Sequence, residues 1–396
     1  MMADKNKEKE KKKNKKIKVC HVLTDTNIGG AGIALRNLLF FCDRERFAFS
    51  VVLPRGSAAI GMLAASGAEI IEADGIGDRS FAPRSVSALA RIFRSISPDV
   101  VHTHASMTGR LAARAAKVPA IVMTRHCAGE TPRAATCGLT GALSGMLLRQ
   151  TCTRAIAVGE EARRSLVAMH LPEDRIDVIY NGTPPPRNIT EAEKNALRNE
   201  LGIYPGDFVV GIFARLEKCK AHEVFLRAAV LCVQNAPDMR FLIVGDGSRR
   251  AELEKLSHSL KLNSSVRFCG FREDTLPLMS LCEVNVNTSV PGEASSLAVI
   301  EGMSLGIPPV MSDCPDRGFL LDGCGLVSLP DSPESTADAI MRLKSDPSLL
   351  LRLSAAARKK YLEHFTSDRC ARETEAVYLK ALADTSAKNP RRSYDS

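Results

Sequence analysis

The 396-residue sequence has no tryptophan, and no run of about 18 uninterrupted apolar residues that would predict a membrane-spanning helix. Its N-terminus lacks the apolar segment of a secretory signal peptide. With 27 glycines and 20 prolines, a collagen-like or largely disordered chain is also excluded. These absences predict a cytoplasmic globular protein, and the length predicts two or three domains.

Paired cysteines are absent as well. The twelve cysteines lie singly along the chain and no C-x-x-C pair occurs, which argues against a disulfide framework or a cysteine-based zinc site. We therefore interpret most of them as free thiols that fill the core.

Positive charge is concentrated at the N-terminus. Residues 1–18 hold nine lysines against three acidic residues, a net +6 of the +9 carried by the whole chain. Such a block is typical of a disordered, solubilising tail. The alternative is that the tail holds the protein on the anionic inner face of the membrane. It contains no arginine and no aromatic residue, so nucleic acid is not expected as a partner.

After the tail, short β-branched apolar runs alternate with helical periodicities, which predicts an α/β fold with parallel sheets covered by helices. The predicted strands are 17–24, 49–54, 68–73, 99–104, 120–126, 154–159, 177–182, 207–215, 239–245, 265–270, 282–289 and 308–313. Helices are expected near 31–42, 57–66, 84–96, 106–117 and 160–169.

Three consecutive prolines, Pro184–Pro186, interrupt this alternation and predict a hinge between two doubly wound domains. We assign residues 19–186 to the first domain, 187–365 to the second, and 366–396 to a C-terminal helix that packs back toward the first domain, followed by a disordered tail. Because ligands of such sheets bind at the carboxyl ends of the strands, the site is expected in the cleft between the domains.

Two features at strand ends of the first domain are candidates for function. Gly29, Gly30 and Gly32 open a helix, where free N–H groups suit a phosphate or sugar oxygen, although tight-turn glycines are an equal alternative. His102, His104 and His126 also follow or end strands, and a structural role is their alternative. We expect separate roles for His102 and His104, on the interpretation that they point to opposite faces of their strand.

The second domain has a basic strand-to-helix junction and a pair of glutamates. Arg215 ends a strand and Lys218 and Lys220 precede a helix, a pattern that suits a diphosphate or, alternatively, a solvated basic loop. Seven residues separate Glu293 from Glu301, and we expect a helix to begin near Ser295 or Ser296, with Glu301 two turns in.

The order of these motifs resembles the retaining glycosyltransferases of family 4, which have the GT-B fold of two Rossmann-like domains facing across a cleft. The resemblance covers residues 17 to 365. It is carried by the early glycine pair, HTH, TRH, IYNG, RLEKCK, VGDG, the glutamate pair and the following GMSLGIPPVMSD.

The resemblance implies a retaining hexosyltransferase that uses a UDP- or GDP-sugar without metal or other cofactor. Its acceptor would be a glycan or a lipid-linked sugar in surface polysaccharide synthesis. The residues implied as catalytic are Glu293, His126, Arg215 and Lys220. Those implied in donor binding are Gly30, Arg215, Lys220, Gly245, Ser295, Ser296, Leu297 and Glu301. His104 and Asn181 would lie on the acceptor side, with acceptor contacts in N-terminal loops such as 125–150.

The sequence departs from the family at residues 313–318, where DCPDRG replaces a glycine-rich turn. This departure favours a non-catalytic protein that binds nucleotide sugars. Two enzymes with the same GT-B fold also stay open, a nucleotide-sugar epimerase and a glycan phosphorylase. A phosphorylase would be recognised by the visible absorbance of pyridoxal phosphate.

Overall fold

The computed structural model describes residues 16–77, 80–104, 106–126, 133–289, 295–313 and 317–388. The chain divides into two compact units: residues 1–182 together with 367–396 form the first, and residues 183–366 form the second. Residues 1–15 of the predicted tail lie outside the described residues. Ile17 and Lys18, which we also assigned to the tail, instead begin the first strand, where the Lys18 N–H donates to Asp99 Oδ2 at 2.9 Å.

In its described residues, the first unit contains a seven-stranded parallel sheet. Its strands are β1 (Ile17–Leu23), β2 (Phe47–Pro54), β3 (Glu69–Ala73), β4 (Val100–His104), β5 (Ala120–Arg125), β6 (Arg154–Ala157) and β7 (Ile176–Val178). They lie in the order β3-β2-β1-β4-β5-β6-β7. The helices are α1 (Gly30–Phe41), α2 (Ile60–Ala64), α3 (Val86–Ile96), α4 (Met107–Ala115), α5 (Arg133–Thr136), α6 (Gly138–Thr151) and α7 (Glu160–Ala168).

The second unit repeats this plan. Its strands are β8 (Phe208–Phe213), β9 (Met239–Val244), β10 (Val266–Gly270), β11 (Val284–Asn287), β12 (Pro309–Ser312) and β13 (Leu326–Ser328), in the order β10-β9-β8-β11-β12-β13. Its helices are α8 (Glu191–Leu201), α9 (His222–Asn235), α10 (Arg250–Ser259), α11 (Leu276–Met279), α12 (Leu297–Ser304), α13 (Arg317–Leu321), α14 (Pro333–Ser345) and α15 (Pro347–His364).

Successive strand side chains point to opposite faces of a sheet, and each sheet carries core residues on both faces. In β2, Val51 belongs to the core on one face and its neighbour Val52 to the core on the other. All five residues of β4 are buried. Continuous burial of this kind is typical of parallel strands covered by helices.

The last helix, α16 (Ser367–Lys388), packs on the first unit. Tyr378 of this helix is fully buried in the core that lies against β1 and β2. Asp384 pairs with Arg154 at 2.9 Å, and Glu375 Oε1 accepts the Asp43 N–H at 2.6 Å. The first unit is therefore composed of two separate segments of the chain.

Four other features of the structure bear on the sequence predictions. The twelve predicted strands are all present, whereas β13, a three-residue edge strand, was not predicted. The expectation that residues 125–150 form a loop is wrong, because helix α6 occupies Gly138–Thr151. All ten cysteines in the described residues are free thiols, six of them buried. None of the described helices is both long and apolar enough to span a bilayer.

Candidate functional site

A basic loop follows β8 in the second unit. The N–H groups of Ala214 and Leu216 donate to the carbonyl oxygens of Val244 and Asp246, both at 3.0 Å, which continues the pairing with β9 beyond the sheet. Arg215 lies between these two bonds and is exposed. Within the part of the chain that the structure describes, its guanidinium has no hydrogen bond or ion pair. A guanidinium in this state can fork onto two phosphate oxygens.

The loop then turns sharply to present the two lysines. Lys218–Lys220 form one 3-10 turn, in which the Lys220 N–H donates to the Glu217 carbonyl at 3.0 Å. Ala221 adopts the left-handed region with φ of 45°, which is costly for a residue with a Cβ. Helix α9 begins directly after it. The turn therefore fixes the position of Lys220 between β8 and α9.

Glu217 joins this loop to the loop after β9. Its carboxylate accepts the Ser248 hydroxyl at 2.8 Å and the Ser248 N–H at 3.2 Å. These bonds from Ser248 are the main reason that the pKa of Glu217 lies below its usual value. The sequence interpretation missed Glu217, although its position between Arg215 and Lys220 in RLEKCK marks it.

Gly245 and Gly247 allow the two loops to touch. Gly245 has φ of 142°, and a Cβ built on it would lie 2.0 Å from the Ala214 carbonyl oxygen. A Cβ on Gly247 would lie 2.6 Å from the Leu216 carbonyl oxygen. Both glycines are thus required for backbone packing, which is sufficient to explain them without a ligand.

Helix α12 begins after β11. Ser296 is its N-cap residue, but the Ser296 side chain does not cap the first turn. The Ser296 hydroxyl instead accepts a bond from Asn287 Nδ2 at 3.0 Å. Ser295 Oγ is buried and has no hydrogen-bond partner among the described residues. Free N–H groups and an unpaired hydroxyl therefore collect at one helix end, an arrangement that suits an anion.

Glu301 lies on the same helix. It is the fifth residue of α12, just over one turn from the start rather than two, and it is half-buried. Thr275 Oγ1 donates to its Oε2 at 3.4 Å. A carboxylate held in this way can still accept bonds from a pair of vicinal hydroxyls.

These groups meet at the point where the sheet order reverses. Strands β8 and β11 are neighbours, with β9 on the other side of β8. The loop after β8 carries Arg215 and Lys220, the loop after β9 carries Gly245, and the segment after β11 leads to α12. In doubly wound sheets, this reversal at the carboxyl edge is the general ligand-binding position.

The first unit has a comparable opening after β1. The N-cap residue of α1 is Gly29, which has no side chain to cap the helix, and a Cβ built on Gly30 would meet nothing within 4 Å. The space beside Gly30 is therefore open. Asn181 follows β7 and is half-buried, and its neighbour Gly182 accepts a bond from Asn37 Nδ2 at 3.2 Å.

The strand-end histidines form a contiguous group. His104 Nδ1 lies 2.8 Å from His126 Nε2, and the His102 and His104 rings stack with centroids 4.7 Å apart. Our expectation of opposite faces for His102 and His104 is therefore wrong, because residues two apart on a strand point to the same face. Burial lowers the pKa of His126 to about 4 and holds that of His104 well below its usual value.

Two predicted features cannot be placed in this geometry. Glu293 lies outside the described residues, as do residues 314–316 of the segment that departs from the family. The remaining predicted residues fall into two groups, one at the carboxyl edge of each sheet. The first unit carries Gly30, His104, His126 and Asn181, and the second carries Arg215, Lys220, Gly245, Ser295, Ser296, Leu297 and Glu301.

Comparison with known families assigns both units. Residues 28–187 match the model described as Glycosyltransferase Family 4, and residues 207–346 match the model described as Glycosyl transferases group 1. Together the two matches span most of the chain.

Individual relatives agree with these matches. The chain is 28% identical over 314 residues to the UDP-Gal:alpha-D-GlcNAc-diphosphoundecaprenol alpha-1,3-galactosyltransferase of Escherichia coli, covering 76% of this chain and 80% of the relative. It is 27% identical to the putative glycosyltransferase EpsD of Bacillus subtilis, covering 76% and 82%.

Two solved structures share the fold. Anabaena HepE in complex with UDP and glucose gives a TM-score of 0.78 at 19% identity, covering 92% of this chain and all of HepE. A glycosyltransferase of Rickettsia africae gives a TM-score of 0.79 at 18% identity, covering 93% and 99%.

Proposed function

The chain belongs to the group 1 glycosyltransferases of family 4 and has their GT-B fold, and from this premise we propose a retaining hexosyltransferase that uses a nucleotide-diphosphate sugar. The acceptor in this proposal is a glycan or a lipid-linked sugar of surface polysaccharide synthesis. The E. coli relative is named for a UDP-galactose donor and a diphosphoundecaprenol-linked acceptor, and its name therefore supports the donor class and the acceptor class of this proposal.

One observation carries the donor assignment. An exposed arginine without a partner among the described residues follows β8, and a helix N-terminus that its own N-cap side chain leaves uncapped follows the adjacent strand β11. A nucleoside diphosphate leaves with about two negative charges that must be stabilised. An arginine and a helix N-terminus both stabilise negative charge. Arg215 and Lys220 would bind the diphosphate, while Ser295, Ser296 and Leu297 would donate backbone N–H groups to its oxygens or to the sugar.

The glutamates are assigned by resemblance. Glu301 would accept bonds from the ribose hydroxyls, and Glu293 would contact the transferred sugar. UDP is the first nucleotide to test because the HepE structure contains it. GDP is the second.

Transfer with retention would proceed on one face of the sugar. The bond between the anomeric carbon and the leaving phosphate oxygen breaks, and the acceptor oxygen bonds to the same face. The acceptor proton passes to an oxygen of the leaving diphosphate. Arg215, Lys220 and the α12 N-terminus would stabilise the charge of the diphosphate, so we propose that no metal ion is needed.

The N-terminal unit would contribute His104 and Asn181 on the acceptor side. It would also contribute the catalytic His126 and the donor-binding Gly30, which has open space beside it. His126, His104 and Asn181 follow or end strands at the carboxyl edge of its sheet. The lysine-rich segment at residues 1–18 would hold the protein on an anionic membrane, where a lipid-linked acceptor resides. The intact protein should sediment with anionic vesicles in a salt-sensitive way, and deletion of residues 1–16 should weaken this sedimentation. Unchanged sedimentation after the deletion would contradict the attachment.

Thermal shift with UDP, GDP and the other nucleoside diphosphates tests the donor proposal first, since a ligand stabilises by RT ln(1 + [L]/Kd). For the nucleotide that binds, Arg215→Ala should weaken affinity at least tenfold. Arg227→Ala, which removes an exposed arginine from α9 of the same unit, is the matched control and should change nothing. Equal affinities of the two variants would contradict the diphosphate site.

The ribose assignment has a separate test. Wild-type protein should bind the ribonucleotide more tightly than its 2′-deoxy analogue, and Glu301→Gln should reduce this difference. A variant that keeps the full discrimination would remove Glu301 from the ribose site.

Turnover distinguishes an enzyme from a binding protein. The protein is incubated with labelled UDP- or GDP-hexoses and a membrane extract that contains lipid-linked acceptors, and the anomeric configuration of the product is read by NMR. Glu293→Ala should depress turnover far more than nucleotide affinity. Donor consumption without acceptor would indicate an epimerase, and nucleotide binding without any reaction would indicate a non-catalytic protein.

A further inference from the structure

Six polar side chains of the first unit form one continuous hydrogen-bonded line through its core. Thr124 Oγ1 lies 2.7 Å from His102 Nε2, and the other nitrogen of that ring, Nδ1, lies 2.8 Å from Tyr378 OH. The Tyr378 hydroxyl in turn lies 3.5 Å from His21 Nε2, and His21 Nδ1 lies 3.1 Å from His104 Nε2. His104 Nδ1 lies 2.8 Å from His126 Nε2, which is the last contact of the series. We call these six residues the histidine line. It runs from the middle of the sheet to the strand-end residue His126.

Within the histidine line, each inner imidazole uses both of its nitrogens. His21, His102 and His104 have ligand atoms within 4.8 Å of one another, so a metal ion is the first alternative to consider. Their nitrogens already have partners in the line, however, and the rings of His21 and His104 are within 20° of parallel rather than converging on a common point. The arrangement therefore fits hydrogen bonding between rings better than metal coordination.

The imidazoles of the line are neutral near pH 7. Burial is the largest cause that holds the pKa of His21, His102 and His104 well below its usual value, and the neighbouring imidazoles lower it further. Arg44 adds to this effect at His21. A neutral imidazole has one N–H donor and one acceptor nitrogen, so the tautomer of each ring dictates that of the next.

Only two arrangements make all five bonds with Tyr378 as a donor within the line. If the Tyr378 oxygen instead accepted from both His102 and His21, its buried hydrogen would have no acceptor in the line. In one of the two arrangements, every bond is donated toward His126, and all four histidines carry their proton on Nδ1. In the other, every bond is donated toward Thr124, and all four carry it on Nε2. The two arrangements differ at the open end: His126 Nδ1 is a donor in the first and an acceptor in the second.

Thr124 selects between them. Its side chain is buried, and its one hydrogen-bond partner among the described residues is His102 Nε2. A hydroxyl always carries a hydrogen, and burying that hydrogen without an acceptor costs about 1–3 kcal/mol. Thr124 thus donates to His102, which favours the arrangement in which every bond points toward His126.

We propose that the histidine line holds His126 in the Nδ1–H tautomer and that Thr124, His102, Tyr378, His21 and His104 are positioning residues for it. His126 Nδ1 has no partner within the described residues, so this N–H is available to donate to a sugar hydroxyl oxygen. Only this last step rests on the proposed function.

Nitrogen NMR of the full-length protein labelled with 15N-histidine tests the tautomer directly, because Nδ1–H and Nε2–H forms have different shifts and couplings. His126→Gln identifies the His126 signals. In wild-type protein we expect His126 as Nδ1–H, the less populated tautomer of free histidine. Thr124→Val and Tyr378→Phe break the line and should each introduce an Nε2–H population at His126, whereas Thr124→Ser should preserve the wild-type pattern.

Two results would overturn the proposal: an Nε2–H tautomer for His126 in wild-type protein, or a tautomer that neither Thr124→Val nor Tyr378→Phe changes. Stoichiometric Zn²⁺ binding that shifts the His21, His102 and His104 signals would also overturn it, in favour of a metal site. The NMR readout needs no substrate, so it is separate from any failure of the transferase assay. If transfer is observed, Thr124→Val should lower kcat at least fivefold with unchanged nucleotide affinity, and Thr124→Ser should restore it.

Discussion

The hydroxyl of Thr288 donates to the carbonyl oxygen of Lys220 at 2.8 Å and lies 3.1 Å from that of Ala221. Thr288 follows β11, so this bond ties the lysine turn to the strand end that leads toward α12. The two parts of the proposed diphosphate site are therefore mechanically linked through one buried hydroxyl.

Thr288→Val should loosen this link while conserving side-chain shape. The Lys220 carbonyl oxygen would lose its donor, whereas the Ala221 carbonyl would keep the Val224 N–H at 3.0 Å. The expected cost is about 1 kcal/mol in nucleotide affinity, or roughly fivefold in Kd. Isothermal titration with the nucleoside diphosphate that stabilises wild-type protein measures the effect. Thr288→Ser retains the hydroxyl and is the control, and a valine variant that binds as tightly as the serine variant would show that the link has no role.

Gly30→Ala should separate a ligand effect from a folding effect. The added methyl group meets nothing within 4 Å, so the free energy of unfolding should be unchanged or slightly higher, whereas close approach of a substrate to the α1 N-terminus would be blocked. Gly61→Ala is a matched control, because Gly61 also lies in a helix with open space around it. We expect at least a tenfold loss of transfer for Gly30→Ala alone; equal activities would show that no ligand approaches Gly30.

Gly245→Ala should destabilise the second unit by more than about 3 kcal/mol, because positive φ and a 2.0 Å clash with the Ala214 carbonyl act together. Gly206 also has positive φ, 93°, but open space around it. Gly206→Ala therefore measures the backbone strain alone, expected near 1–2 kcal/mol. Denaturant unfolding followed by circular dichroism compares the two variants, and similar losses would mean that the loop adjusts to the clash.

Acid should weaken the first unit through the histidine line. The folded-state pKa values lie below the ordinary value of 6.5, with His126 at about 4. As the pH falls below 6.5 the unfolded chain binds protons before the folded one, so stability is lost from pH 6.5 toward 4, by up to about 1.4 kcal/mol per pH unit for each histidine.

The measurement is the free energy of unfolding at pH 7.5 and pH 5.0. Carboxylates also lower the free energy of unfolding in acid, so the comparison is with His126→Gln. Between the two pH values this variant should lose less free energy of unfolding than wild-type protein, and the difference should equal the contribution of one histidine. Identical losses in the two proteins would mean that His126 is already protonated in the folded state at pH 5.0.

Much of the fold was predictable because the strands are apolar on both faces. Such strands stand out in a sequence regardless of their neighbours, as FVVGIF in β8 illustrates. Helix α6 was missed because its glycines resemble helix breakers. They are instead packing contacts: a Cβ on Gly145 would lie 2.6 Å from the His170 Cβ, and one on Gly141 would lie 2.7 Å from the Thr136 carbonyl carbon. Such close approaches depend on tertiary structure.

The site was predictable only in part. Arg215 and Lys220 occur at a strand-to-helix junction, which is a local pattern. Thr288 and Tyr378 are separated from their partners by at least 67 residues along the chain, so no local pattern marks them. His21 was overlooked because it lies inside a strand rather than at its end.

The placement of α16 has a consequence for how the protein is made. Tyr378, which completes the core of the first unit, leaves the ribosome after all of residues 183–366. The second unit can therefore finish folding before the first. A nascent chain that has reached only residue 366 would expose apolar surface of the first unit, because the segment that covers this surface has not yet been made.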